Sequence, residues 1–269
     1  EALAAHPDAR AVAFVHAETS TGAQSDAATL IGLARAKGAL AIVDTVTSLG
    51  GTPVLADAWG ADAIYSGSQK CLSCVPGLAP VTFSARAVER VKARKGKVPS
   101  WFMDLGLVLE YWSAPGGKRT YHHTAPVNSL FALHESLVML KDEGLENAWA
   151  RHRLHHEALK AGFETLGLQF VVREDARLPQ LNAVHVPAGV DEAGVRKQLL
   201  EKFNLEIGAG LGPLAGKVWR FGLMGYSARR ENVELCLRAL AEVLSGMGQA
   251  KDQRAALAAA ESVYARPVR

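Results

Sequence analysis

Residues 11–44 read AVAFVHAETSTGAQSDAATLIGLARAKGALAIVD, and the order of apolar runs within them decides the fold. Residues 11–16 are a short continuous apolar run of strand length, and Leu30, Leu33 and Ala34 carry helical spacing across 26–37. Asp26 or Ser25 stands where an N-cap belongs, and Gly38 lies just past the helix end. A second apolar run, 39–44, follows at once. This is one strand–helix–strand unit. Strands apolar on both faces predict a parallel sheet covered by helices. Runs at 62–66 and 78–83 continue the same style, so the first half reads as α/β.

Beyond about residue 125 the pattern changes. Long helices are predicted at 127–142 and 145–166, joined near Gly144, followed by short strands near 168–173, 181–186 and 218–223 and helices at 191–203 and 229–246. The expected architecture is α/β: a three-layer, mostly parallel sheet in residues 1–143 and a smaller C-terminal α+β domain in 144–269, with the boundary near 143–150. The Ala-rich stretch 250–264 reads as a surface helix.

With 49% hydrophobic and 21% charged residues in 269, disordered and collagen-like chains are excluded. The 30 Lys+Arg against 27 Asp+Glu leave a net charge of only +3, scattered, which is no footprint for nucleic acid. Cys71, Cys74 and Cys236 are too few for a disulfide framework and suit a reducing compartment. The longest apolar stretches, 39–43 and 255–260, fall far short of the roughly 20 residues of a membrane span. No signal peptide is visible from Glu1 onward, and a cytoplasmic protein is the expectation.

Ligands of open parallel sheets sit beyond the carboxyl ends of the strands. There this sequence puts His16, Glu18, Thr19, Ser20, Thr21 and Gly22 after the first strand, Asp44 after the second, and Ser66-Gly67-Ser68-Gln69-Lys70 after the third. Taken singly, Asp44 is a strand-end turn residue and Lys70 a solvated loop lysine. A carboxylate and a lysine on one rim suit several chemistries. A lysine flanked by Ser and Gln on a Gly-containing turn suits pyridoxal phosphate: the amine holds the aldehyde, the carboxylate keeps the ring nitrogen protonated, and hydroxyls and N–H groups cradle the phosphate. A cofactor-free binding module that keeps the fold is the rival from another class.

The segments His16–Gly22 (HAETSTG), Val43–Gly51 (VDTVTSLGG), Tyr65–Lys70 (YSGSQK) and Tyr121–Pro126 (YHHTAP) resemble class V, fold-type I pyridoxal-phosphate aminotransferases of the alanine–glyoxylate and serine–glyoxylate group. The resemblance implies the large domain of that fold. It makes Lys70 the catalytic lysine and Asp44 the partner of the pyridine nitrogen. It sets Val46 against a ring face, Thr19 in a hydrogen bond to the cofactor, and Ser68 and Gln69 at its phosphate. Tyr121 and Thr124 match residues that reach the phosphate of the neighbouring subunit, which implies a homodimer. Arg220, in the apolar run Val218–Leu223, needs a partner, because an unpaired buried charge is costly. Its fork fits a carboxylate, and the resemblance assigns it to the substrate α-carboxylate. The alternative is an arginine snorkelling from an edge strand.

The implied reaction is transamination from a small amino acid to glyoxylate, giving pyruvate and glycine from alanine. Alanine is placed ahead of serine because 212–226 looks more like the alanine-using branch. The family also carries an N-terminal stretch with a phosphate loop and a ring-stacking aromatic, so this sequence reads as its C-terminal part, weak or inactive alone.

Other motifs carry less. GAGLGP (208–213) lacks the dinucleotide pattern and reads as a flexible loop. Cys71 and Cys74 form a lone C-x-x-C without a second pair, so no metal is expected. His152, His155 and His156, among Arg151 and Arg153, read as a solvated helix face. His122 and His123 are adjacent and are not expected to point into one pocket.

Overall fold

In the computed structural model, which describes residues 1–113 and 120–266, the unit read from 11–44 forms between its predicted caps. The chain runs through α1 (Ala2–Ala5), β1 (Ala11–Val15), β2 (Ala17–Glu18), β3 (Ala23–Gln24), α2 (Ala27–Ala36), β4 (Leu40–Asp44), α3 (Ala56–Trp59), β5 (Ala63–Tyr65), β6 (Val81–Phe83), α4 (Ala85–Lys92) and α5 (Leu105–Ser113). Asp26 caps α2, its carboxylate accepting from Thr29 N–H at 3.1 Å, and Gly38 turns the chain out at φ 73°. β1, β4 and β5 are parallel neighbours in the order β1-β4-β5-β6. The run 78–83 departs from expectation: β6 pairs antiparallel with β5 as an edge strand, because the connection 66–80 forms the loop around Lys70 and contains no crossover helix to carry the chain back for a parallel return.

The two sheet faces differ. Ala41, Val43 and Ile64 are buried against Ala27, Ile31 and Ala34 of α2. Leu40, Ile42, Ala63 and Tyr65 on the other face stay partly open, above a groove of about 870 Å³ that Phe83, Ala87 and Val91 help to line. At the amino end of the strands a single fully buried carboxylate ties the elements together. Asp62 accepts from Ala41 N–H at 2.9 Å, Ser84 Oγ at 3.0 Å and Arg86 Nη1 at 3.2 Å, while Ser84 caps α4. Arg86 also donates to the carbonyls of Gly38 and Ala39.

The second half comprises α6 (Val127–Glu143), α7 (Leu145–Thr165), β7 (Leu181–His185), α8 (Glu192–Phe203), β8 (Gly208–Ala209), β9 (Val218–Gly222), α9 (Arg230–Gly246) and α10 (Gln253–Tyr264). β9 lies between β7 and β8, antiparallel to both. Its apolar cluster draws on Phe163, Leu199, Trp219, Leu237, Leu240 and Leu244. The strand expected at 168–173 is reduced to one bridge, Phe170 to Val184, since Arg173 and Glu174 turn the chain away. α10 is a surface helix with one packed face: Arg254, Ala258, Glu261 and Ser262 are exposed, while Ala256, Ala260 and Val263 are buried, small enough to let it lie close on α7. Among the described residues no helix is long and apolar enough to cross a membrane.

The α7 histidines correct the solvated-face expectation, being 1%, 8% and 5% exposed at 152, 155 and 156. Each ring finds a polar partner inside: Ala148 O for His152, Tyr264 Oη for His155 and Asn182 Oδ1 for His156. Burial lowers the pKa of all three rings below the ordinary imidazole value.

Two outcomes follow for stability. Asp62→Ala strands a buried N–H and a half-buried guanidinium and should cost about 2–4 kcal/mol in urea unfolding, against little for an exposed carboxylate such as Asp57. Burial lowers both His16 and His155 to about 4, so the unfolded chain takes up protons first as pH falls below the ordinary value of 6.5. Stability should therefore be complete above pH 6.5 and decline towards pH 4, and His155→Phe should flatten that slope in unfolding curves taken across the range.

Candidate active site at the strand ends

Hydrogen bonding sets the three parallel strands level at their carboxyl ends. Val15, Asp44 and Tyr65 lie in register, and His16 N–H donates to Asp44 O at 2.9 Å while Thr45 N–H donates to Tyr65 O at 2.8 Å. Asp44 and Tyr65 point to the same, partly open face, as strand alternation requires. Val46 N–H donates to Asp44 Oδ1 at 2.8 Å, an Asx-type turn that fixes the carboxylate. The nearby Asp44 carboxylate, with burial adding to it, holds the Tyr65 phenol above its ordinary range. Tyr65 opens the YSGSQK segment without a role of its own in the sequence; only the cross-strand register brings it to Asp44.

Lys70 is half-buried in the loop that leaves β5. That loop closes on itself, Cys74 N–H donating to Ser68 O and Ser73 N–H to Lys70 O, each at 3.0 Å. Ser68, expected to face a phosphate, is turned inward instead. It is fully buried, its hydroxyl donating to Val75 O at 2.6 Å and accepting from Leu78 N–H at 3.4 Å, because closing the loop needs both groups. Gln69 remains exposed and lines, with Lys70, Ser73, Met224, Tyr226 and Ser227, a cavity of about 390 Å³. Cys71 donates to Thr47 O and burial pushes its thiol up to about 12, the state of a packed residue and not of a redox thiol.

Arg220 is on the central strand of its sheet, which removes the edge-strand alternative. Nε donates to Ala209 O at 2.7 Å and Nη1 to Thr19 O at 3.0 Å, so the guanidinium bridges β8 and the turn carrying Thr19. In the loop expected to be flexible at 208–213, residues 208–210 are closely packed while Leu211, Gly212 and Pro213 are exposed. A Cβ on Gly210 would lie 2.0 Å from Leu214 O, and Gly208 sits against the Arg220 side chain. The β2–β3 turn is also tied to the second half, Leu178 N–H donating to Gly22 O at 2.8 Å. Gly22, at φ 82°, leaves no space for a Cβ, which would meet Leu181 O at 2.8 Å.

Tyr121 and Thr124 are exposed, with their hydroxyls 2.5 Å apart. Contrary to expectation, His122 and His123 share one aromatic cluster. Their Nδ1 atoms are 2.8 Å apart, His122 stacks on Trp101 and His123 meets Phe102 edge-on. The segment 120–126 forms no strand, so the alternation of an extended strand does not apply.

The set fits pyridoxal phosphate by donor chemistry: an amine able to condense with an aldehyde, a fixed carboxylate, and a cation for an acid. Among the described residues neither Lys70 nor Arg220 has a carboxylate within ion-pair distance, which leaves both charges available.

Comparison with known proteins agrees. The aminotransferase class-V family matches residues 2–234. The (S)-ureidoglycine–glyoxylate transaminase of Bacillus subtilis is 39% identical over 94% of this chain and 64% of its own length. The alanine–glyoxylate aminotransferase of Callithrix jacchus is 42% identical over 86% of this chain and 56% of its own. A crystal structure of alanine–glyoxylate aminotransferase from Nostoc sp. superposes with a TM-score of 0.86 at 48% identity, covering 90% of this chain and 63% of that one. The chain thus spans less than two thirds of the length of each of these relatives. Matched along most of its length by one family, and sharing that family's fold, the chain belongs to the class-V aminotransferases.

Proposed function

We propose that this chain binds pyridoxal phosphate through Lys70 and takes part in transamination from a small amino acid to glyoxylate. Class-V aminotransferases depend on that cofactor and are typically homodimers. The observation that carries the reading is the level rim: an anchored carboxylate at the end of β4 and an amine in the loop after its neighbour β5. When bound, pyridoxal phosphate supplies an electron sink that makes the substrate α-proton removable. Asp44, with Oδ1 engaged by Val46 N–H, is proposed to hold a proton on the ring nitrogen through its other oxygen. Lys70 Nζ, as a free amine, would take the substrate α-proton and serve afterwards as the acid that gives a proton back, general-base and general-acid work at one nitrogen.

Arg220 binds the α-carboxylate with the part of its fork that Ala209 O and Thr19 O leave over. Thr19 and Gln69 are proposed as cofactor contacts, Val46 as the wall of the ring, and Ser68 as the residue that shapes the loop around Lys70. Tyr121 and Thr124 are proposed to reach a second subunit's phosphate in a homodimer. Alanine is the favoured donor, in line with the Callithrix and Nostoc relatives. A ureidoglycine donor is the second reading, favoured by the Bacillus subtilis enzyme, whose structure superposes with a TM-score of 0.91 at 40% identity. Serine ranks after both. Because the face that carries Asp44 is partly open to water, turnover by this chain alone is proposed to be weak relative to capture of the cofactor.

Incubation with pyridoxal phosphate followed by borohydride should leave one reduced adduct, mapped by mass to Lys70 and absent in Lys70→Ala. An adduct spread over surface lysines would overturn the reading. Turnover with alanine and glyoxylate should fall by about 10²–10⁴ in Lys70→Ala. Arg220→Ala should raise the half-saturating concentration of alanine and of serine alike, by about 10- to 100-fold. Selective loss of one donor would contradict a carboxylate contact.

A further inference from the structure

The turn that follows β9 is held from three directions by groups that the transamination reading does not use. Gly225 N–H donates to His152 Nε2 at 2.9 Å, and Tyr226 N–H donates to Ser73 Oγ at 2.8 Å. Arg151 Nη1 donates to the carbonyls of Gly225, at 2.8 Å, and Ala228, at 3.0 Å. Each holder is itself held. Glu143 accepts from Arg151 Nε and Nη2, and His152 Nδ1 lies 2.6 Å from Ala148 O. A peptide N–H can only donate, so Nε2 of His152 is the lone-pair nitrogen and Nδ1 carries the proton.

The opposite side of the contact is the Lys70 loop. Ser73 sits in the left-handed region at φ 58°, unusual for a residue with a Cβ, and there its hydroxyl meets Tyr226 while its N–H closes on Lys70 O. Gly225 is left-handed too, at φ 55°. A Cβ on it would lie 2.0 Å from Ser73 Oγ, 3.0 Å from Cys71 O and 3.2 Å from Lys70 O. Backbone therefore touches backbone, with Lys70 on one side and, back along β9, Arg220 on the other.

We propose that His152, together with Ser73 and Arg151, is a positioning residue that fixes Arg220 relative to Lys70 by clamping the Gly225 turn onto the Lys70 loop. The inference rests on the roles given above to Lys70 and Arg220, and it adds residues that act through the backbone of the Gly225 turn. A space-filling ring at 152 needs only volume; a positioning ring needs an acceptor where Nε2 stands. Glutamine provides one, as its amide oxygen reaches about as far as Nε2, and phenylalanine provides none.

Cys71 reports on the clamp without any cofactor, because its thiol is buried beside Gly225 at 4% exposure. The experiment alkylates the full chain, maps the label on Cys71 by mass, and compares the wild type with His152→Phe, His152→Gln and Ser73→Ala. In parallel, L-alanine is titrated against the visible absorbance of protein carrying pyridoxal phosphate. His152→Phe should alkylate about tenfold faster and need about tenfold more alanine, Ser73→Ala should move in the same direction, and His152→Gln should stay within about threefold of wild type. Unchanged alkylation in His152→Phe, or His152→Gln as fast as His152→Phe, overturns the clamp. Faster alkylation with an unmoved alanine midpoint overturns the positioning role. If His152→Phe fails to fold by circular dichroism, Ser73→Ala decides, an unchanged alkylation rate overturning the inference. Failure of the wild type to take pyridoxal phosphate on Lys70 would overturn the functional reading, while alkylation would still decide the clamp.

Discussion

Lateral hydrogen bonding between parallel strands is the constraint on which this molecule depends. Evenly spaced bonds between β1, β4 and β5 fix the height of each strand against its neighbours, so that His16, Thr45 and Ser66 begin their loops from one line. Side-chain alternation then sends Asp44 and Tyr65 to the same face without any further instruction. At the far end of the strands Asp62 performs the complementary task, joining the starts of β4 and α4 through one buried carboxylate. Slippage by one residue would expose Val43 and bury Asp44, which the apolar packing of α2 forbids.

A guanidinium within an apolar strand is usually neutralised by a carboxylate. Arg220 is accommodated otherwise, by the carbonyls of Ala209 and Thr19, which satisfy N–H groups but carry no formal charge. The positive charge is therefore solvated by dipoles and kept, a state that favours the arrival of an anion over the retention of an internal partner.

Much of the first half was legible in the sequence because its signals are local. The cap at Asp26, the stop at Gly38 and the apolar runs at 11–16 and 39–44 specify a strand–helix–strand unit whatever surrounds them. The direction of β6 was not legible, since a run of apolar residues reads the same in either sense. The histidines of α7 were misread for a related reason: their flanking arginines gave the look of a wet surface, and their partners Tyr264, Asn182 and Gly225 are distant in sequence. At the site, Asp44 and Arg220 stood out as polar residues in apolar runs, and Lys70 by its place in a Ser/Gly/Gln turn at a strand end. Tyr65, Ser73 and His152 did not, because their neighbours are set by cross-strand register and by a turn that only tertiary packing brings near.

The tie between Gly22 and Leu178 gains meaning beside the contact between Ser73 and Tyr226. These two attachments fasten the antiparallel sheet to the parallel one at separate points, with Arg220 on a strand between them. Two separated anchors remove most rigid-body rotations, because a swing about one must tear the other. The walls of the recess between the Lys70 loop and the Gly225 turn are thus set by the folded chain itself, at a fixed mutual angle of the two sheets.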